Sequence, residues 1–121
     1  MKRITPGRIF NNLPCSVVSV GCAIGASAWC DLNGLFSDGL RLNGFLSFKD
    51  MNTLIRANMG VLRRARYKRG ERPALRDWAH ENKGKRAILC VARHYVYFDG
   101  RDYHSFFWNG GDPVVEIWYL E

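Results

Sequence analysis

The sequence predicts an α+β fold, with a cysteine-bearing N-terminal helix packed on a C-terminal antiparallel sheet. An uncharged run from Pro14 to Gly25 has the length of a short helix that is apolar on every side, and such a helix belongs inside a domain. The chain changes character at Ala87, where the first of four apolar runs begins, and turn residues that include Asp99-Gly100 separate these runs. Helices followed by strands with tight turns are typical of an α+β domain.

The composition predicts one folded domain over residues 1–121. Apolar residues make up 47% of the chain and aromatic residues 13%, which argues against disorder. No apolar run reaches the length of a membrane span, and Pro6 and Gly7 interrupt any signal-type segment near the N-terminus. We therefore expect a soluble, cytoplasmic protein that does not bind membranes.

The first helix is predicted to begin at Pro14, because the first turn of a helix makes no use of the N–H that proline lacks. Val17, Val18 and Val20 lower helix propensity, so periodicity alone leaves a buried strand open. Cys15 lies in the first turn, where free N–H groups and a partial positive charge favour an anion. A sulfur at this place is suited to act as a nucleophile.

The middle of the chain is predicted to contain a loop and then a helix. Three turn dipeptides of the Asn-Gly and Asp-Gly type predict a loop over Trp29–Gly44. Ser47 and Asp50 have the spacing of a helix N-terminus, and the helix is expected to end near Asn58 or Gly60. Its apolar face would consist of Phe48, Met51, Leu54 and Ile55.

Residues 61–69 alternate apolar and arginine side chains, a pattern that leaves a strand and a frayed helix equally open. A further helix is predicted after Pro73, with Leu75 and Trp78 in its apolar stripe and Gly84 after its end.

The C-terminal part is predicted to form the sheet. Ala87–Val91 is typical of a buried strand, and Asp99-Gly100 joins the runs 94–98 and 103–108 in a hairpin. Val114–Leu120 supplies the last strand. The aromatic residues of these runs are expected to lie in the core and in cross-strand pairs: Tyr95, Tyr97, Phe106, Phe107, Trp108, Trp118 and Tyr119.

The formal net charge of +7 is concentrated in one segment. Between Arg56 and Arg86 there are eleven lysines and arginines against three acidic residues, a net charge of +8, so the rest of the chain sums to −1. This concentration predicts a basic face suited to an acidic protein partner or to nucleic acid. Nucleic acid is less favoured, because Tyr67 is the only aromatic residue between Arg63 and Arg72.

The four cysteines, Cys15, Cys22, Cys30 and Cys90, do not have the CxxC spacing of a zinc or redox motif. We expect free thiols in a reducing compartment, and neither a metal nor another cofactor. His80 lies near the predicted end of a helix, where a cation suits the helix dipole. A nucleophilic cysteine needs a base, and His94 at the start of a strand can supply one.

Several motifs, taken in order, resemble small papain-like cysteine peptidases of the kind often encoded by phages. They are residues 12–18 around Cys15, the blocks 75–79 and 84–91, and His94-Tyr95-Val96-Tyr97-Phe98-Asp99-Gly100. The resemblance implies a papain-like α+β fold and the cytoplasm of a host cell. It also implies that a central helix presents the Cys15 thiol to His94 on the first strand of a twisted hairpin.

The resemblance assigns Cys15 as nucleophile and His94 as base. Many relatives have Tyr-Asp after the Asp-Gly turn where this chain has Tyr103-His104, so the third catalytic residue is open between Asn109, Asp112, His104 and none. Asn109 is the first choice. The Cys15 backbone N–H and a side-chain amide from Asn11 or Asn12 are the available donors to an oxyanion.

The sequence therefore predicts a papain-like thiol hydrolase acting on an amide or isopeptide bond of a protein or peptide. The alternative is a basic binding module with the same scaffold and no turnover, directed at an acidic host protein or nucleic acid. The oligomeric state is not predicted.

Overall fold

The computed structural model describes residues 1–25, 49, 52, 53, 56 and 62–120. The helices are α1 (Cys15–Ile24) and α2 (Leu75–Glu81), and a 3₁₀ turn covers Arg8–Phe10. The strands are β1 (Arg3–Ile4), β2 (Leu62–Arg66), β3 (Ala87–Val91), β4 (His94–Phe98), β5 (Tyr103–His104) and β6 (Val114–Leu120).

The strands form one mixed sheet in the order β1-β5-β4-β3-β6-β2. All the pairings are antiparallel except that of β1, which runs parallel to β5 with Arg3 opposite Tyr103. The predicted α+β class is confirmed, whereas the prediction of a purely antiparallel sheet is wrong at this edge. A two-residue strand has no periodicity to detect, since alternation needs about four residues.

The uncharged N-terminal run forms a helix and not a strand, but the helix begins at Cys15 rather than at the predicted Pro14. Pro14 is the N-cap residue, with an extended ψ of 146°, and the Val18 N–H donates to its carbonyl. Gly25 ends the helix at a φ of 79°, a left-handed conformation that glycine adopts without a steric cost. Val17 and Val20 are fully buried, so packing outweighs the low helix propensity of valine.

The sheet is covered on both faces. On one face α1 packs against Ile88, Tyr97 and Trp118. On the other face α2 packs against Leu89, Phe98 and other residues that alternate along the strands with those facing α1. The rings of Trp78 and Phe98 meet edge to face, with their centroids 5.3 Å apart. Because successive side chains of a strand point to opposite faces and both faces are covered here, β3 is apolar along its whole length, as the run at residues 87–91 predicts.

Strand β5 ends at His104, earlier than the predicted strand that extended to Trp108. From Ser105 onward the chain turns into a loop that is held by its own hydrogen bonds. Phe107 and Trp108 are each 65% exposed, so their predicted place in the core is wrong. Residues 62–66 are a strand, which resolves the ambiguity left by their alternating pattern.

Two predicted elements lie outside the described residues, in whole or in large part. They are the loop over 29–44 and the helix expected to begin at Ser47. Of that helix the described residues are Lys49, Asn52, Thr53 and Arg56, which are helical. Within the described part of the chain, no helix has both the length and the apolar character needed to span a bilayer.

The cations of the segment 56–86 occupy more than one surface rather than the single face predicted. Arg64 and Arg66 both pair with Glu116 at about 3 Å, on β2 at one edge of the sheet. Arg76, on α2, instead lines a hollow beside β1, the strand at the opposite edge.

Gly21 of α1 provides a test of this packing, because a Cβ there would lie 2.3 Å from the buried ring of Phe10. We expect Gly21→Ala to lower the free energy of unfolding by about 1–2 kcal/mol. Overpacking costs about 1–3 kcal/mol, which exceeds the roughly 1 kcal/mol that alanine gains in helix propensity. Urea denaturation measures the change. Gly7→Ala is the control, since nothing lies within 4 Å of its Cβ position; an unchanged stability of Gly21→Ala would contradict the packing.

Candidate active site

Cys15 is the first residue of α1 and is partly exposed. Its backbone is held in place by Ser19, whose buried hydroxyl donates to the Cys15 carbonyl at 2.7 Å. The first N–H groups of a helix have no acceptor within the helix, and Pro14 supplies no side-chain cap. The sulfur therefore lies at the positive end of a helix whose body is buried.

Cys15 and His94 both line one cavity of about 270 Å³. The Tyr95 backbone N–H, next to His94, donates to Cys15 Sγ at 3.5 Å. These contacts bring together two residues that are 79 positions apart in the sequence. The remaining lining is largely apolar, and its residues are Leu13, Val18, Tyr95, His104, Ser105, Phe106 and Phe107.

His94 is held by contacts on two sides. Its Nε2 lies 3.0 Å from the hydroxyl of Ser105. The ring of Phe107 meets the imidazole edge to face at a centroid distance of 5.7 Å. Ser105 is buried, so the hydrogen bond is shielded from water.

Ser105 belongs to a longer chain of hydrogen bonds. Its hydroxyl donates to Asn109 Oδ1 at 2.8 Å, and Asn109 Nδ2 donates to Asp112 Oδ2 at 2.9 Å. The Phe107 N–H donates to the same hydroxyl oxygen at 3.1 Å. We call the series His94–Ser105–Asn109–Asp112 the relay.

The relay has only one consistent direction. An ionised carboxylate only accepts hydrogen bonds, so the Asn109 amide must turn its NH₂ toward Asp112 and its oxygen toward Ser105. Ser105 has one proton, which it gives to that oxygen, and it can then only accept from His94. The neutral imidazole must therefore carry its proton on Nε2, which leaves Nδ1 as a free base.

The loop that carries the relay is fixed to the rest of the protein. The Asn109 N–H donates to the hydroxyl of buried Tyr103 at 3.0 Å. The N–H groups of Leu75 and Arg76, at the start of α2, donate to the carbonyls of Asp112 and Gly110. The loop thus supplies the acceptors that the first turn of α2 lacks, and its position is set by the sheet and by α2.

Burial lowers the pKa of His94 from its ordinary value of 6.5, and the negative charge of Asp112 opposes this shift. The shift favours the neutral form of the imidazole. Burial has the opposite effect on two other thiols, since it raises the pKa of Cys22 to about 12 and that of Cys90 to about 11. Neither of these thiols is ionised at neutral pH.

Asn109, the first choice for the third residue, does not contact His94 directly, because Ser105 stands between them. Asp112 is one step further along the relay. His104 lines the cavity but pairs with Asp99 at 2.9 Å. Neither Asn11 nor Asn12, the predicted amide donors, is among the residues that line the cavity.

Ser105 is the residue that sequence reasoning missed. Serine is common in loops and has no distinctive spacing of its own. The strand pairing of the hairpin could have indicated it, since Phe98 lies opposite Tyr103 and Tyr97 lies opposite His104. Continued by one residue, this register puts Ser105 on the diagonal to His94, a distance that side chains can span.

Three of the four cysteines are described, and each is a free thiol. Within the described ranges, no group of three or more His, Cys, Asp and Glu side chains is placed to hold a metal ion. Comparisons with protein-family models, with curated proteins and with solved structures returned no match.

The pKa of His94 can be tested by an NMR titration of the histidine rings. We expect a midpoint below 6.5, and a further decrease in Asp112→Asn, because this variant removes the charge that opposes the effect of burial. Asparagine keeps an oxygen that can accept from Asn109. Asp77→Asn, an equal charge change on the exposed side of α2, should leave the midpoint in place. A higher midpoint in Asp112→Asn would contradict the assigned interaction.

Proposed function

We propose that the protein is a papain-like thiol hydrolase that cleaves an amide or isopeptide bond in a protein or peptide. The observation that carries the proposal is the cavity shared by Cys15 and His94, with a relay that leaves His94 Nδ1 unprotonated. A nucleophile, a base and a group that orients the base are the three parts that this chemistry requires.

In the first half-reaction, His94 Nδ1 takes the proton of the Cys15 thiol, and the sulfur attacks the carbonyl carbon of the substrate. The charge moves to the carbonyl oxygen. The Cys15 backbone N–H, which has no acceptor within α1, can donate to this oxyanion. The imidazolium then gives its proton to the leaving nitrogen as the C–N bond breaks, and an acyl-thioester remains on Cys15.

In the second half-reaction, a water gives its proton to His94 and attacks the thioester carbonyl. The C–S bond breaks, the acid is released, and the proton returns to the sulfur. Ser105 keeps the ring in place throughout by accepting from Nε2. The tautomer is therefore correct at the start of each cycle, without a ring flip.

Within the α+β class, a papain-like fold is part of the same proposal. It is supported by a buried helix that presents its first side chain to a histidine on an antiparallel hairpin. The free thiols of Cys15, Cys22 and Cys90 are typical of a reducing compartment, which supports a cytoplasmic place of action.

The second candidate is a binding module that uses this scaffold without turnover. One observation favours it: the partner of His94 Nε2 is a neutral hydroxyl, whereas a carboxylate would stabilise the imidazolium more strongly. An acidic protein would be the partner in that case, because the chain has a net charge of +7.

Thiol labelling distinguishes the two candidates. With iodoacetamide at pH 7, we expect Cys15 to react faster than Cys22 and Cys90, whose pKa values are raised to about 12 and about 11. Peptide mass spectrometry assigns the rate of each thiol. Burial also slows the labelling of Cys22 and Cys90, so a difference between thiols does not by itself identify a base. The decisive comparison is between the wild type and His94→Ala, in which the labelling of Cys15 should slow about tenfold or more if His94 is its base.

His80→Ala is the matched control for this experiment, since His80 is an exposed histidine at the end of α2. It should leave the Cys15 rate unchanged. Equal Cys15 rates in wild type and His94→Ala would refute the hydrolase and leave the binding module.

Ser105→Ala tests the positioning role of the hydroxyl. We expect kcat for a peptidyl-amide substrate to fall about 10- to 150-fold with little change in KM, because a hydrogen bond to a charged group is worth about 1.5–3 kcal/mol. The ¹⁵N shifts of His94 provide a second readout. The wild type should be protonated on Nε2, whereas Ser105→Ala should show a mixture of tautomers; an unchanged tautomer would contradict the relay.

A further inference from the structure

We propose that a hollow beside β1 binds a nucleotide unit, with the base stacked on Trp108 and the phosphate held by Lys2, Arg3 and Arg76. This hollow has a volume of about 300 Å³ and is separate from the cavity at Cys15. Its lining residues are Met1, Lys2, Arg3, Arg76, Tyr103 and Trp108. The inference goes beyond the proposed hydrolase and does not depend on it.

Trp108 is positioned as a stacking surface. Its indole lies directly against Gly110, where an added Cβ would come within 1.5 Å of the ring. The ring of buried Tyr103 lies at a centroid distance of 6.1 Å. Trp108 nevertheless remains 65% exposed, so much of the indole is available to a ligand. Exposed indole rings are common stacking partners of nucleic-acid bases.

Arg3 is pre-organised at the same hollow. Its Nη1 donates to the Thr5 hydroxyl at 2.9 Å and to the Ser105 carbonyl at 3.2 Å, and the Phe106 carbonyl is 3.5 Å away. All three acceptors are contacted by the same guanidinium nitrogen, Nη1. The other nitrogens of the fork can therefore face a phosphate without a loss of this anchoring.

The charge of the hollow fits an anion. Lys2 and Arg76 are exposed, and no carboxylate occurs among the described residues of its lining. An adjoining hollow of about 530 Å³ shares Met1 and Lys2 and adds Lys83 and Arg101. Its acid, Asp102, accepts from the Lys2 backbone N–H and lies 3.9 Å from Arg101. A second phosphate of a strand would find cations there.

The combination of an aromatic ring with several cations selects the ligand. A phosphate alone would use the cations and leave the exposed indole without a function. A peptide made only of acidic residues would also use the cations and would offer no planar ring to Trp108. A nucleotide has both parts, and it can come from a free mononucleotide or from single-stranded nucleic acid.

Two titrations separate these sources. Calorimetry with AMP measures the free nucleotide, and fluorescence anisotropy with a labelled (dT)12 measures the single strand. We expect Trp108→Ala to weaken binding about 5- to 150-fold, the range found for loss of one stacked base. Gly110→Ala should weaken it as well, because the new methyl displaces the indole.

Arg76→Gln should weaken binding. It should also reduce the slope of log affinity for (dT)12 against log salt concentration, by the contribution of about one phosphate contact. Arg69→Gln is the matched control, since it removes the same charge from an exposed site just after β2, at the opposite edge of the sheet from β1. Circular dichroism and thermal unfolding check that each variant folds, and Trp108→Phe, which keeps a ring, should retain part of the affinity.

Each outcome decides the proposal. Binding of AMP that depends on Trp108 and Arg76 but not on Arg69 supports a free nucleotide as the ligand. The same dependence for (dT)12 alone supports single-stranded nucleic acid. The proposal is overturned if neither probe binds, if Arg69→Gln weakens binding as much as Arg76→Gln, or if Trp108→Ala has no effect. Equal affinity for poly-glutamate would also overturn it and would indicate an acidic protein partner.

Discussion

The candidate site depends on the inability of the Asp112 carboxylate to donate a hydrogen bond. This one restriction orients the Asn109 amide, which in turn orients the Ser105 hydroxyl, so that His94 must carry its proton on Nε2. Because Ser105 and Asn109 are buried, water does not compete for these bonds. The Asp112 carboxylate, which is separated from the imidazole by two intervening side chains of the relay, thereby determines which imidazole nitrogen can act as a base.

The fold brings the two halves of the site together through the sheet. The thiol comes from α1 at one end of the chain, and the imidazole and the relay come from β4 and the loop that follows β5. Helix α1 is buried against β3 and β4, while α2 covers the opposite face and binds the loop through the N–H groups of Leu75 and Arg76. Both covering layers therefore contribute to the geometry of the cavity, one by presenting the sulfur and the other by anchoring the loop.

The loop after β5 has two surfaces with different chemistry. Phe107 lies against His94 at the apolar cavity, whereas its neighbour Trp108 lies at the basic hollow beside β1. Arg3 connects the two, because it binds the Ser105 and Phe106 carbonyls while it lines the hollow. A ligand in the hollow would contact a guanidinium that is bonded to the same loop as the relay.

The sequence by itself determined a buried element at Cys15, the strands over residues 87–91, 94–98 and 114–120 and the hairpin at Asp99-Gly100, because apolar patterns and turn residues act locally. Periodicity left both a helix and a strand open at Cys15, and packing decided for the helix. It also singled out Cys15 and His94, through their residue types and the elements they begin. Only the tertiary structure decided that Ser105 stands between His94 and Asn109, that β1 pairs in parallel, and that Phe107 and Trp108 are exposed. Hydrogen bonds between side chains depend on distances across the folded chain, and a hydroxyl in a loop leaves no periodic trace in the sequence.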